Sequence, residues 1–210
     1  MDAVAPPARP RLAVLTFDDG PFPVTTPLLL AQLHALDVPA AFFFIGRDTG
    51  EQPAIAARSA RAGIEIGNHT QTHPQMASLP LSEQEIEIER AANTIQAVTG
   101  VRPVYFRPPH GGYDAATIDA ARNQHATVVL WDVDPGDWRS MTPQNIADDV
   151  VSQARSPAII LLHNGKFATV QALASIVRAY RAAGFQFVTL SQLQARLPTS
   201  AINDPIRVKS

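Results

Sequence analysis

The chain has 210 residues, no cysteine, and a formal charge of −2 from seventeen basic and nineteen acidic residues. That length suits one domain with a substantial core, and the lack of cysteine excludes disulfides, thiolate ligands and a cysteine nucleophile, so any metal is held by His, Asp or Glu. No basic patch is present to collect nucleic acid or anionic lipid, and no apolar run approaches the eighteen or so residues of a membrane span.

The chain opens with an extended lead-in marked by Pro6, Pro7 and Pro10, and Met1-Asp2-Ala3-Val4 shows no basic or apolar region of a secretion leader. A strand is then predicted over 12–17, a helix over 25–36, a strand over 40–45, a helix over 53–62 and a strand over 64–66. Helix 82–98, strand 104–106, helix 114–123 and strand 126–131 follow, then helix 143–154, strand 158–162, helix 169–183 and strand 185–189. Ser82 and Glu85 have the spacing of a capping box, Pro143 stands at a first helical position, and Gly63, Gly100 and Gly184 sit where helices end. Regular alternation of strand and helix predicts an α/β fold, a parallel sheet closing or nearly closing into a barrel of about seven strands. One domain is expected over 1–210, with its core at about 12–197 and a loosely packed tail from Pro198.

The polar clusters fall at the C-terminal ends of the predicted strands, the face on which barrel proteins build their sites. In LTFDDGP, Asp18 and Asp19 stand side by side where the first strand ends. Neighbouring strand residues point to opposite faces, so two aspartates serve one cleft only where the chain is turning. A turn or a cap for the next helix accounts for one of them and leaves the other over. NHTQTH places His69 and His73 four apart, on a helical turn or a tight loop, and with Asp19 they form the two-His, one-carboxylate set of a catalytic metal site. Asn68-His69-Thr70 also spells a glycosylation triplet, but the same residues are better used on a metal. His34 and His125 read as structural or surface residues. Arg107, at a strand end before two prolines, is either a surface cation or the partner of a buried carboxylate. His163 emerges from an apolar strand, and Asp137 is placed to bond one of its ring nitrogens and leave the other to donate a proton.

TFDDGP, the H-x-x-x-H of NHTQTH, RPPHG, the DPGDW stretch and LLHNG together resemble, in order, the five motifs of the polysaccharide deacetylases of the NodB homology type, carbohydrate esterase family four. The resemblance runs from about Leu12 to Leu197. It implies a distorted (β/α) barrel that removes N-acetyl or O-acetyl groups from sugars with a divalent metal, commonly Zn2+, with Co2+ or Ni2+ as alternatives. By position it implies Asp19, His69 and His73 as metal ligands, Asp18 as general base, Arg107 as its partner, His163 as general acid and Asp137 as the carboxylate that tunes it. Trp138 and Leu161 fall where the family shapes an acetyl pocket, and the backbone N–H of His110 falls where it binds the oxyanion. His110 replaces the family's usual aromatic residue, and Asn164 stands where Asp is frequent. Expected substrates are peptidoglycan, chitin or chito-oligosaccharides, with acetylxylan esterase activity or a non-catalytic sugar-binding role as alternatives. Family habit implies secretion or the cell envelope. Short connections after the strands predict a shallow open groove.

Overall fold

The computed structural model describes residues 10–197. The lead-in prolines Pro6 and Pro7 and the tail beyond Leu197 lie outside the described residues. Seven parallel strands, β1 (Arg11–Asp18), β2 (Ala40–Phe44), β3 (Glu65–Asn68), β4 (Tyr105–Phe106), β5 (Thr127–Val128), β6 (Ala158–His163) and β7 (Phe185–Phe187), form one sheet. Helices α1 (Thr25–Leu36), α2 (Gly46–Glu51), α3 (Pro53–Arg61), α4 (Leu81–Thr99), α5 (Ala115–Asn123), α6 (Pro143–Ser152), α7 (Phe167–Ala182) and α8 (Leu190–Gln194) complete it.

The strand order is β5-β4-β3-β2-β1-β6, with β7 also paired to β1. Only the start of the predicted strand 126–131 pairs as a strand. Thr127 and Val128 pair with β4, after which the chain crosses to β6 through a parallel bridge from Val133 to Ile160. That bridge draws the two edges of the curled sheet together, and it explains why the fifth strand is shorter than its apolar run.

Period-two alternation in β1 builds two cores. Ala13, Leu15 and Phe17 face the helices and pack with Leu29, Leu33, Ile176 and Tyr180. Leu12 and Val14 face the barrel interior with Phe43, Tyr105, Val129 and Ile159. Leu190 and Leu193 of α8 join this interior cluster and plug its floor. The helix is fixed there because the Glu65 carboxylate accepts from the amides of Leu190 at 2.7 Å and Ser191 at 3.2 Å, and the Tyr105 hydroxyl donates to Gln194 at 2.7 Å. Along the interior face of β1 the side chains run from apolar at the floor, Leu12 and Val14, to polar at the mouth, Thr16 and Asp18.

Pro143 does occupy a first-turn position, behind a Thr142 cap that accepts from the Asn145 amide, and Gly63, Gly100 and Gly184 all have positive φ just past helices. The expected Ser82–Glu85 box does not form. Pro80, extended at φ −64° and ψ 155°, starts α4 one residue earlier, so Ser82 already lies inside the helix and caps nothing. Helices α2 and α8 were not anticipated, and β7 ends at Phe187 because Thr189 caps α8.

Gly67 sits where β3 crosses closest to the Phe43 ring: an added Cβ would lie 2.4 Å from it. Gly67→Ala is expected to lower stability by about 1–3 kcal/mol through overpacking. The check is the urea midpoint, which should fall with an unchanged m value.

Candidate active site

Asp18 is the last residue of β1 and points inward in phase with Thr16. Asp19 leaves the strand with φ 70°, a left-handed turn continued by Gly20 at φ 76°. That turn lets two consecutive carboxylates reach one cleft. His69 keeps its place on the sheet, its amide donating to Phe44 at 2.9 Å, and the chain then reverses at Thr70, φ 69°. The reversal is held by side chains: Asn68 accepts from the Thr70 amide at 2.8 Å, and Thr70 accepts from the His73 amide at 2.9 Å. The two histidines therefore meet across a tight loop. Asn68 is buried and donates to Ile88 of α4 at 2.8 Å, so it serves as a structural strut and is inaccessible to glycosylation.

Arg107, fully buried, is a partner of Asp18. Its guanidinium donates to Asp18 Oδ1 at 2.7 Å, Thr16 Oγ1 at 2.9 Å and the carbonyls of Val129 and Leu130 at 3.1 and 3.0 Å, and it lies 4.1 Å above the Phe43 ring. Its own carbonyl accepts from His69 Nδ1 at 2.7 Å. A carbonyl can only accept, so the hydrogen is on Nδ1 and the Nε2 lone pair faces Asp19, 3.7 Å away. His73 Nε2 lies 3.3 Å from the same Asp19 oxygen.

One ligand atom each from Asp19, His69 and His73 lies within 4.8 Å of the others. Burial pushes the His69 pKa down, outweighing Asp18 and Asp19, and keeps the imidazole neutral. Burial works to raise Asp19, but the hydrogen bond from His73 and the neighbouring imidazoles bring it to about 2, so it is a carboxylate at neutral pH. With both imidazoles neutral, their facing nitrogens and the Asp19 carboxylate fit a divalent cation that would take the place of the His73–Asp19 contact, leaving its remaining positions open.

His163 ends β6 directly beside Asp18 in the sheet register. Its Nδ1 is 2.7 Å from Asp137, which also accepts from the His163 amide at 2.8 Å and the Thr169 hydroxyl at 2.6 Å. Burial alone would lower the His163 pKa; the bond to Asp137 and the charges of Asp137, Asp18 and Asp19 raise it to about 8. Leu161 and Trp138 line the same cleft, of about 420 Å³, and His110 and Trp138 stand exposed at its rim. The His110 amide donates to nothing among the described residues. Asn164 is buried behind the site, its amide donating to the Asp18 carbonyl at 2.9 Å and its side chain accepting from Thr26 at 2.6 Å.

Eight of the ten expected site residues line the cleft, the other two, Arg107 and Asp137, stand behind it bonded to Asp18 and His163, and His34 and His125 stay outside. Trp131, Asp134 and Lys166 also line it and were not singled out from sequence. Asp134 lay within the DPGDW stretch and Trp131 within a strand run, whereas Lys166 carries no local signal.

The sequence model described as polysaccharide deacetylase matches residues 5–129. The chain belongs to the polysaccharide deacetylase family. That span holds Asp18, Asp19, His69, His73 and Arg107, while Asp137 and His163 lie beyond it. Pairwise relatives reach further. Peptidoglycan-N-acetylmuramic acid deacetylase PdaC of Bacillus subtilis is 36% identical over 88% of this chain, which spans 39% of that relative. Its solved structure is 34% identical, with 89% of this chain and 91% of that one covered at a TM-score of 0.82. A chitooligosaccharide deacetylase of Bradyrhizobium is 33% identical over 87% of this chain and 90% of its own length. A pseudoenzyme of carbohydrate esterase family 4 from Bacillus anthracis is 26% identical over 88% of this chain and 66% of that one, at a TM-score of 0.84. A family that includes pseudoenzymes makes the side chains, rather than the barrel, the argument for activity.

The Arg107–Asp18 pair is buried on both sides, so removing one partner strands the other charge. Arg107→Leu is expected to lose about 3–5 kcal/mol, and Arg107→Leu with Asp18→Leu to recover part of it. Denaturant unfolding of the single and double variants checks this; equal losses in the two would defeat it.

Proposed function

We propose that the protein hydrolyses N-acetyl groups from N-acetylglucosamine units of a polysaccharide or oligosaccharide, in peptidoglycan, chitin or chito-oligosaccharide. The observation that carries this reading is that two groups with separate partners stand at the ends of adjacent strands beside a cation site: Asp18 on Arg107, and His163 on Asp137. The names of a peptidoglycan-N-acetylglucosamine deacetylase and a chitooligosaccharide deacetylase among the relatives support the sugar, and that of PdaC, which specifies N-acetylmuramic acid, supports peptidoglycan alone.

Asp19, His69 and His73 would hold a divalent cation, with zinc the first choice and cobalt or nickel next, and such an ion would supply Lewis acidity for the acetyl carbonyl and for water. Asp18 then takes the proton of the attacking water as general base, aligned by Arg107. The His110 amide donates to the oxygen on which charge develops. His163 gives its Nε2 proton to the departing sugar amine, since its Nδ1 is engaged by Asp137. Leu161 and Trp138 bound the space for the acetyl methyl. Such polymers place the activity outside the cell or in its envelope, and no helix among the described residues is long and apolar enough to cross a membrane.

The decisive test is acetate release from N-acetylated chito-oligosaccharides by the wild-type protein and Asp18→Asn, after chelation and after zinc is restored. Wild type should lose activity with metal and regain it, while Asp18→Asn binds zinc but turns over about 10²–10⁴-fold more slowly. A zinc-loaded wild type that releases acetate from acetylated xylan but not from the amide would overturn the N-deacetylase assignment.

The proton of His163 is present below its raised pKa of about 8 and lost above it, so the rate should fall on the alkaline side. Asp137→Asn removes the largest of the contributions that raise that pKa, leaving those of Asp18 and Asp19, and should move the alkaline limb of the kcat profile to lower pH. An unmoved limb would assign it to another group.

A further inference from the structure

The two metal-site histidines are held differently. His69 is fixed in plane by the hydrogen bond from its Nδ1 to the Arg107 carbonyl, 2.7 Å, the arrangement by which a ligating imidazole is normally oriented. His73 has Nε2 toward Asp19, but its other ring nitrogen makes no hydrogen bond among the described residues. What touches the His73 ring instead is a pair of imidazoles. The His69 ring lies on one contact, centroids 4.9 Å apart at 65°, and the His110 ring makes the other, 4.8 Å apart at 79°. His69 is itself a ligand, which leaves His110 as the contact from outside the ligand set.

His110 is well placed to act as a stop. It follows Pro108 and Pro109, whose rings fix the approaching backbone, and it adopts φ 59° in a tight turn closed by the Gly111 amide on the Pro108 carbonyl at 3.1 Å. Gly111 is pressed against Trp131 so closely that a Cβ there would lie 2.6 Å from the indole. The turn is therefore wedged between two prolines and a tryptophan, and the His110 ring inherits that rigidity although its own face is exposed to the cleft.

We propose that His110 is a positioning residue for His73, its ring supplying by edge-to-face packing the orientation that a hydrogen bond supplies to His69. This rests on the reading of Asp19, His69 and His73 as a metal site. His110 has no ligand atom close enough to join that set, so the ring, and not a nitrogen, is what matters. The role is separate from that of the His110 amide, which every substitution except proline preserves.

Zinc affinity, measured by competition with a chromophoric chelator, tests the proposal without reference to any substrate. His110→Ala and His110→Asn should each bind zinc about threefold to tenfold more weakly, as expected from the strength of an aromatic pair acting on a ligand. His110→Phe, which restores a ring but no nitrogen, should stay within about twofold of wild type. The Co2+-loaded proteins should follow the same division, with the d–d absorption of His110→Phe like wild type and that of His110→Ala altered. The proposal is overturned if His110→Ala binds like wild type, or if His110→Phe is as weak as His110→Ala, which would give the role to the imidazole nitrogen. Failure of the wild type itself to bind zinc would be a different result, removing the metal site and this role with it.

Discussion

One buried cation ties the mouth of this barrel together. Arg107 has no solvent contact, and its guanidinium bonds a carboxylate and a hydroxyl of β1 and two carbonyls of the chain that follows β5, while its face rests on a ring from β2. Its backbone extends the reach: the amide donates to the Asn68 carbonyl of β3 at 2.9 Å and the carbonyl accepts a hydrogen bond from His69 Nδ1. A charge brought into the interior is tolerated only when its donors are satisfied, and here the satisfying groups are the parts of the site. Orienting Asp18, the proposed base, setting the tautomer of His69, a proposed ligand, and closing the sheet are thus one constraint. Lysine, with a single compact ammonium, has no fork with which to reach these partners together.

The remainder follows from strand parity. Leu12, Val14, Thr16 and Asp18 share one face of β1, and Ile159, Leu161 and His163 share the matching face of β6. The inward face passes from apolar to polar as it rises, so the same alternation that fills the core delivers the reactive groups to its rim. Only Asp19 breaks the phase, and a left-handed backbone returns it to the cleft.

Much of this was legible in the sequence because it is local. A run of alternating apolar residues ending in Asp-Asp or in His states both a strand and where its chemistry emerges, and five such endings identify a common face. What was hidden is non-local. The crossing of the 126–133 segment from β4 to β6 depends on curvature that no window reports. Helix α8 is five residues long and is held by Glu65, 125 positions away in the chain. The Ser82–Glu85 spacing was right for a cap, yet Pro80 had already set the start of the helix. Lys166 reaches the cleft only because the loop after β6 turns over it. The packing of His110 on His73 is of the same kind: RPPHG shows a rigid turn, but nothing in those letters says whose ring it meets.

The plug at the barrel floor has a consequence for traffic. With α8 closing one end and an apolar interior filling the middle, the cleft is a cul-de-sac. A polymer of the proposed kind could not be threaded through it and would have to lie across the mouth. With the floor closed by α8, both products of the proposed reaction would have to leave by the mouth through which the substrate came.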